Sequence, residues 1–406
     1  MKTSNSQNDK ILFGFLKFVS ANKEWLMTLA SGFLLGRITN EFSPPNSNLW
    51  DVLQGTFSVA NRPTNFLSWL SVILLAGVPL SYRFLKKLHK QKQYAKLFAT
   101  ILQRHKSRAI TPFNGLSWDD DLSLQTCPEL HRGWVASEIK VQHDTTRFSM
   151  PEKYKQAYKE YFNKFHEEKR FFNDGIKFML TRNPASFLDS PTLSLNTRET
   201  LYSQIQFYKD NIAILTPERN ELIRKAVDGY VEFPHSLCMH IVVVTSDDKV
   251  VTTKRSAKVS YYPNTWSCTA EEQLAPQDFE KGGGSLISKW AGRLLSEEFG
   301  LNAEDYNDGN VRILSAFLES DILNISLCAH VVLDIPASEL NQRLLILPRP
   351  DYEFSEWAFL THDEVLNELF RPTKAYHPSS GYRMLMALIR KYGEPTVVEK
   401  ILNQTK

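Results

Sequence analysis

Residues 269–301 read TAEEQLAPQDFEKGGGSLISKWAGRLLSEEFGL, and the second half of this stretch decides the fold. Gly282, Gly283 and Gly284 break the chain, since glycine punctuates regular structure. The segment 285–299, SLISKWAGRLLSEEF, then has helical periodicity, with apolar residues returning at three- and four-residue steps. Gly300 stops that helix, because glycine accepts the left-handed cap conformation. On such a helix positions 294, 297 and 298 share one face. Two of them are the carboxylates Glu297 and Glu298, and the third is Leu294.

The surroundings supply a sheet for this helix. LCMHIVVVT (237–245), the turn 246–249 and VVTTKRS (250–256) read as a β-hairpin. VRILSAFLES (311–320) and NISLCAHVVLDI (324–335) add two strands joined by a tight turn, and WAFLT follows at 357–361. Thr361 and Glu364 have the spacing of a capping box, and a last helix is expected over 379–392. Hairpin, helix, strands and helix predict a mixed sheet sandwiched between helices over 235–392. Residues 393–406 read as a C-terminal tail. Residues 97–234 read as a small α+β linking region without an assigned role. Within it, Tyr154, Tyr158, Tyr161, Phe162 and Phe165 line one face of a helix and point to core or domain interface. The three Asp of WDDDLS (118–123) fit a turn and helix cap better than a metal site.

The front of the chain differs. Pro63 to Tyr82, PTNFLSWLSVILLAGVPLSY, carries no charge, and about 20 apolar residues cross a ~30 Å hydrocarbon core. WLMTLASGFLLG (25–36) is a shorter run that ends at Arg37, whose side chain can snorkel. Two transmembrane helices, about 22–40 and 65–83, are therefore expected within an anchor of residues 1–96. Lys and Arg flank both runs, with Arg83, Lys86, Lys87, Lys90, Lys92 and Lys96 after the second. The positive-inside rule places both termini in the cytoplasm. A net charge of +3 over 406 residues argues against bulk nucleic-acid binding. Cys127, Cys238, Cys268 and Cys328 form no CxxC pair, so neither a zinc site nor a disulfide framework follows.

Arg293, Glu297, Glu298, Gly300 and Leu301 match the end of the pattern G-x5-E-x7-R-E-U-x-E-E-x-G-U, with U bulky and apolar. Residues 235–392 thus resemble a Nudix domain, giving the chain the α+β class: two membrane helices, a linking region and a Nudix-like sheet. The departures are Phe279 for the first Gly, Ser285 for the first Glu and Leu294 for the Glu after Arg. The resemblance implies carboxylates that hold Mg²⁺ against a diphosphate and help to generate a hydroxide. Leu294 removes one of them. No catalytic residue, resident metal or cofactor is therefore assigned, and the chain reads as a binding protein and not an enzyme. Mg²⁺ would enter through Glu297 and Glu298, with substrate phosphates, only if hydrolysis occurs. Lys254, Arg255, Tyr262, Trp266, Arg293, Glu297 and Glu298 are the candidate ligand-binding residues. Arg and Lys suit phosphates and the aromatic rings suit a base, although a solvated or core role fits the same residue types.

Anchor plus eroded Nudix domain resembles the transmembrane-Nudix effectors of bacterial cyclic-oligonucleotide antiphage signalling. That resemblance implies a multi-pass protein of the bacterial inner membrane that senses a cyclic nucleotide and disrupts the bilayer in abortive infection. It implies assembly into a homo-oligomer on activation, and a companion synthase acting through its product. The competing expectation is a membrane-anchored, Mg-dependent Nudix hydrolase of a nucleoside diphosphate derivative. A third is a scaffold whose Nudix-like fold binds a protein.

Overall fold

In the computed structural model the described residues are 110–112, 132–168, 174–184, 192–259, 261–280, 284–347 and 353–404. Both expected membrane spans, Arg37 and the WDDDLS segment lie outside them. Among the described residues no helix is long and apolar enough to cross a membrane.

The chain begins with β1 (Ile110–Pro112), β2 (Trp134–Val135) and β3 (Ile139–Arg147). Helix α1 (Glu152–Glu167), β4 (Ile176–Leu180) and β5 (Leu193–Leu201) follow. Helix α2 (Tyr202–Phe207) runs into a π-turn (Tyr208–Ile212), and α3 (Thr216–Val227) completes this part. Strands β3, β5 and β4 form a small sheet in that order, β3 parallel and β4 antiparallel to β5. The aromatic stripe of α1 packs on α2 and the π-turn. Tyr154, Tyr158 and Tyr161 all meet Phe207 edge-on, at 6.3, 5.6 and 5.5 Å between ring centroids. Such contacts bury large rings in a preferred geometry.

The second sheet uses β6 (Cys238–Val244), β7 (Lys249–Arg255), β8 (Trp266–Ser267) and β9 (Ala270–Gln273). After α4 (Leu286–Phe299) come β10 (Arg312–Glu319), β11 (Asn324–Val332), α5 (Ala337–Ile346) and β12 (Phe354–Thr361). Helices α6 (His362–Phe370), α7 (Ser380–Tyr392) and α8 (Glu394–Gln404) close the chain. The strand order is β1-β10-β11-β6-β7-β12, with β6 and β11 parallel from Cys238 opposite Ser326 to Val244 opposite Val332. Covered on both faces, β6 (CMHIVVV) is buried at every position, the pattern of a central strand. Met239, Ile241 and Val243 join the cluster containing α4, whereas Val242 and Val244 join the cluster of α6, α7 and α8. This alternation is the two-residue period of a strand.

Three details depart from the sequence reading. Strands β6 and β7 share a register pair at Val244 and Val250, then diverge. Strands β8 and β9, from the segment read as a pocket flank, pair with β7 and β6 respectively. Residues 393–406, read as a tail, carry α8, whose Val397, Val398 and Ile401 are buried. The expected boundary at 234/235 runs through one continuous core. Phe178 of β4 meets Phe279 at 4.5 Å, and Leu237 donates a backbone bond to Phe178. His235, fully buried there, accepts from the Leu180 backbone N–H, and burial holds its imidazole down at about 4.

Candidate functional site

Helix α4 has the ends its sequence calls for. The Ser285 hydroxyl accepts from the Ser288 N–H at 3.1 Å, and Gly300 takes φ +62°. The left-handed conformation demands glycine there, and a Cβ would also have to displace the Leu347 side-chain tip, 2.8 Å away. The buried stripe of the helix is Ile287, Trp290, Ala291, Leu294, Leu295 and Phe299. Leu294 is 0% exposed, part of the core beneath the sheet. Glu297 is largely exposed and Glu298 half-buried. Leu294→Glu is therefore expected to destabilise by more than the ~2–5 kcal/mol of emptying a leucine site, because a carboxylate there is also desolvated. Urea melts of the variant check this.

Arg293 serves the fold. Its Nε and Nη2 grip Asp278 at 3.0 and 2.9 Å, and Nη2 also donates to the Gln273 carbonyl at 2.7 Å. Its Nη1 reaches Glu272 at 3.1 Å and Glu297 at 3.5 Å. Burial alone would lower its pKa, but Asp278 and Glu272 more than reverse that. The two-pronged guanidinium contact locks the loop before α4 onto the helix. Lys254 pairs with Glu356, and Trp266 lies beneath the Lys374 ammonium at 3.5 Å from the ring centroid. Neither joins the cluster described next, whereas Arg255 and Tyr262 do.

Glu271 and Glu272 are adjacent on β9, so they serve opposite faces. Glu272 meets Arg293, while Glu271 enters a buried ionic cluster on the α7 side. Glu271 pairs with Arg255 Nη1 at 2.7 Å and Arg383 Nη2 at 2.9 Å. His240 Nδ1 is 3.5 Å and His377 Nε2 3.9 Å from the same carboxylate. Glu319, from β10, lies 3.8 Å from both His240 Nε2 and His377 Nε2. The Ser379 backbone N–H donates to His377 Nδ1, so the neutral ring carries its proton on Nε2, towards the carboxylates. Tyr262 stands edge-on to His377 at 4.7 Å, held at φ +46°, a backbone region uncommon for bulky residues. Glu271, with its side chain 15% exposed, gives the cluster its widest opening to solvent, since Arg383 is at 0%.

The charges do not balance. Burial opposes ionisation of Glu271, but Arg255 and Arg383 hold it well below the usual carboxylate range. Burial keeps both histidines neutral, with His377 at about 3. Burial, then the Glu271 charge, pushes Glu319 up to about 7. Below neutrality two guanidiniums thus face one ionised carboxylate. Arg383 Nη2 also bonds Ser267, yet its Nε and Nη1 have no hydrogen-bond partner among the described residues. An orphaned buried donor is costly unless something fills it. An anion supplies both the charge and the acceptors. Two cavities, of about 670 and 550 Å³, open against the three-stranded sheet, and neither is lined by Arg383 or Glu298. The cluster's chemistry outweighs their size.

The raised Glu319 carboxyl has a testable consequence. Folding favours its protonated form, so its contribution is complete below about 4.5 and is lost as pH rises through about 7. Glu319→Gln should match the native protein in stability at pH 4.5 and exceed it at pH 8, by on the order of 3 kcal/mol. Chemical denaturation across this range checks the difference, in which the opposing titrations of His240 and His377 cancel.

The residues do not fit a resident magnesium centre of three carboxylates. Among the described residues no group of three metal-ligating side chains is gathered. Leu294 lies in the core, Ser285 caps the helix, and Glu297 leans on Arg293. Glu353, just before β12, is a carboxylate the sequence reading passed over. It is exposed, and the neighbouring charges of Glu298, Glu271 and Glu272 oppose its ionisation, which ties the helix electrostatically to the cluster.

No family model matches the chain, and no curated protein does. Solved structures do. A Nudix hydrolase from Alicyclobacillus acidocaldarius is 9% identical over 41% of this chain and 96% of its own, at a TM-score of 0.29. The Nudix hydrolase RenU from M. smegmatis is 14% identical over 41% of this chain and 86% of its own, at 0.23. A bifunctional NMN adenylyltransferase/ADP ribose pyrophosphatase from Francisella tularensis, complexed with AMP and a Mn ion, is 17% identical over 47% of this chain and 49% of its own, at 0.27. One expectation is corrected here. The missing box carboxylate led to a binding protein without catalysis, whereas these solved structures, to which the chain is similar, are hydrolases.

Proposed function

We propose that the Nudix-like domain recognises a phosphorylated nucleoside and hydrolyses a nucleoside diphosphate derivative, with the Arg255–Glu271–Arg383 cluster taking the anion. The observation that carries this reading is Arg383, wholly buried, with two of its nitrogens unbonded among the described residues. A guanidinium suits phosphate oxygens in paired contacts. In this reading Arg383 and Arg255 orient the phosphate, and Tyr262 offers an aromatic surface beside it. Glu319, titrating near neutrality, holds a proton it can release to a leaving oxygen. Water adds to one phosphorus, the bridging P–O bond breaks, and two monophosphates leave.

The test is ADP-ribose with the full-length chain in Mg²⁺ buffer, following release of AMP and ribose 5-phosphate. Slow turnover is expected, because Ser285 and Leu294 stand where the family pattern has carboxylates. Turnover should vanish in Arg383→Met. A native chain that neither turns over nor binds ADP-ribose would remove the reading.

A second reading is favoured by the uncharged run 63–82 and the basic segment after it. There the ligand is a cyclic nucleotide, and its binding drives homo-oligomers of an inner-membrane effector to breach the bilayer in antiphage defence. Ligand binding shifts such an equilibrium only if resting and assembled states differ in affinity. Dye leakage from vesicles carrying the full-length chain, triggered by a cyclic dinucleotide or trinucleotide and not by AMP, would support it. Leakage indifferent to nucleotide would remove it.

A further inference from the structure

Tyr261, in the connection between β7 and β8, touches both sheets' territories. Its carbonyl accepts from Arg255 Nε at 3.2 Å, while Arg255 Nη1 pairs with Glu271 at 2.7 Å. Its hydroxyl accepts from Gln206 Nε2 at 2.9 Å, and Lys209 Nζ sits 4.1 Å from its ring centroid. Gln206 is 8% exposed and is the penultimate residue of α2, and Lys209 lies in the π-turn that follows. That turn is itself braced. The Ala213 N–H bonds the Tyr208 carbonyl at 2.7 Å, and the Tyr161 hydroxyl donates to Asp210 at 2.6 Å. Inserted π-turns of this kind concentrate at functional segments. The next residue, Tyr262, is the ring against His377, so one dipeptide faces the π-turn and the ionic cluster at once.

We propose that Tyr261 is a positioning residue through which residues 202–212, outside the Nudix-like sheet, aim Arg255 at Glu271 and thereby set the anion affinity of the cluster. The linking region then completes the site. The positioning stands on the contacts above, and only its effect on ligand affinity rests on the proposed nucleotide reading. A cation over an aromatic ring is a contact of modest strength, and it is one a neighbouring cation can replace. Lys209→Ala should therefore weaken AMP binding roughly five- to tenfold, and Lys209→Arg should restore it. Tyr261→Phe should act in the same direction by removing the acceptor for Gln206.

The experiment uses full-length protein, selectively ¹⁵N-labelled at arginine, titrated calorimetrically with AMP and observed at the Arg255 Nε–H resonance. Lys155→Ala, which breaks an exposed pair with Glu152 on α1, serves as the control. The expected result is a moved Arg255 signal and weaker AMP binding in Lys209→Ala, both recovered in Lys209→Arg and both native in Lys155→Ala. An Arg255 signal unmoved in Lys209→Ala and Tyr261→Phe overturns the positioning role, whatever the nucleotide does. Equal loss of AMP affinity in Lys155→Ala overturns it as well, since the effect would then be one of general stability. An Arg255 signal moved in Lys209→Ala, alongside a native protein that ignores AMP, upholds the positioning role and removes the nucleotide reading.

Discussion

Arg293→Ala is expected to cost about 3–5 kcal/mol of stability, measured by urea denaturation, because it strands a buried carboxylate. Asp278 keeps its side chain 2% exposed and receives both prongs of the guanidinium. Without Arg293 its remaining bond is the Ala275 N–H at 2.9 Å. The same change frees Glu272 and the Gln273 carbonyl, so the loop before α4 loses its attachment to the helix. Lysine should rescue little, since a point charge cannot reproduce the paired contact. Glu297→Gln touches the same guanidinium at 3.5 Å from an exposed position. It should change stability by less than about 1 kcal/mol.

The opposite balance holds for Arg383→Met. Glu271 retains Arg255 at 2.7 Å, and methionine fills a fully buried volume on α7 without unbonded donors. Replacing buried ionic groups by apolar ones is often neutral or stabilising, so the variant should melt within a few degrees of the native protein. Its affinity for AMP should nevertheless fall by roughly thirtyfold or more, the cost of about 2 kcal/mol for losing a buried charge-assisted contact. Stability kept and ligand lost is a combination that a purely structural arginine does not give. A structural role predicts the reverse.

Some of this was legible in the sequence for local reasons. The start of α4 after the glycine run, its stop at Gly300 and the Thr361–Glu364 capping box each depend on neighbours within a few residues. All appear in the fold, where Thr361 accepts from the Glu364 N–H at 3.2 Å and the Glu364 carboxylate accepts from the Thr361 N–H at 2.7 Å. The role of Leu294 was half legible. Its place on the carboxylate face could be counted, but its burial depends on the sheet packed beneath it. The ionic cluster was hidden because its members come from β6, β7, β9, β10 and α7. Arg255 and Tyr262 were singled out as phosphate- and base-facing types, whereas Glu271, Glu319, His377 and Arg383 were not. One signal was available. In SGYRMLMALIRKY the arginine at 383 directly precedes the apolar run 384–389, and residues 380–389 are all buried. A charge in such a run needs a partner. Strands β8 and β9 were missed because the side facing the cluster is polar, so WSCTAEEQ lacks the apolar alternation of a strand.

A buried guanidinium pair, short of one negative charge below neutrality, is proposed to take the phosphate of a nucleotide. Calorimetric titration of the full-length chain with AMP and with adenosine tests it most directly. The two ligands share base and ribose and differ in the phosphate alone. Binding of AMP at one site per chain, with adenosine at least tenfold weaker and the difference abolished in Arg383→Met, is the predicted result. Equal affinity for the two, or a preference for AMP that survives in Arg383→Met, would contradict it.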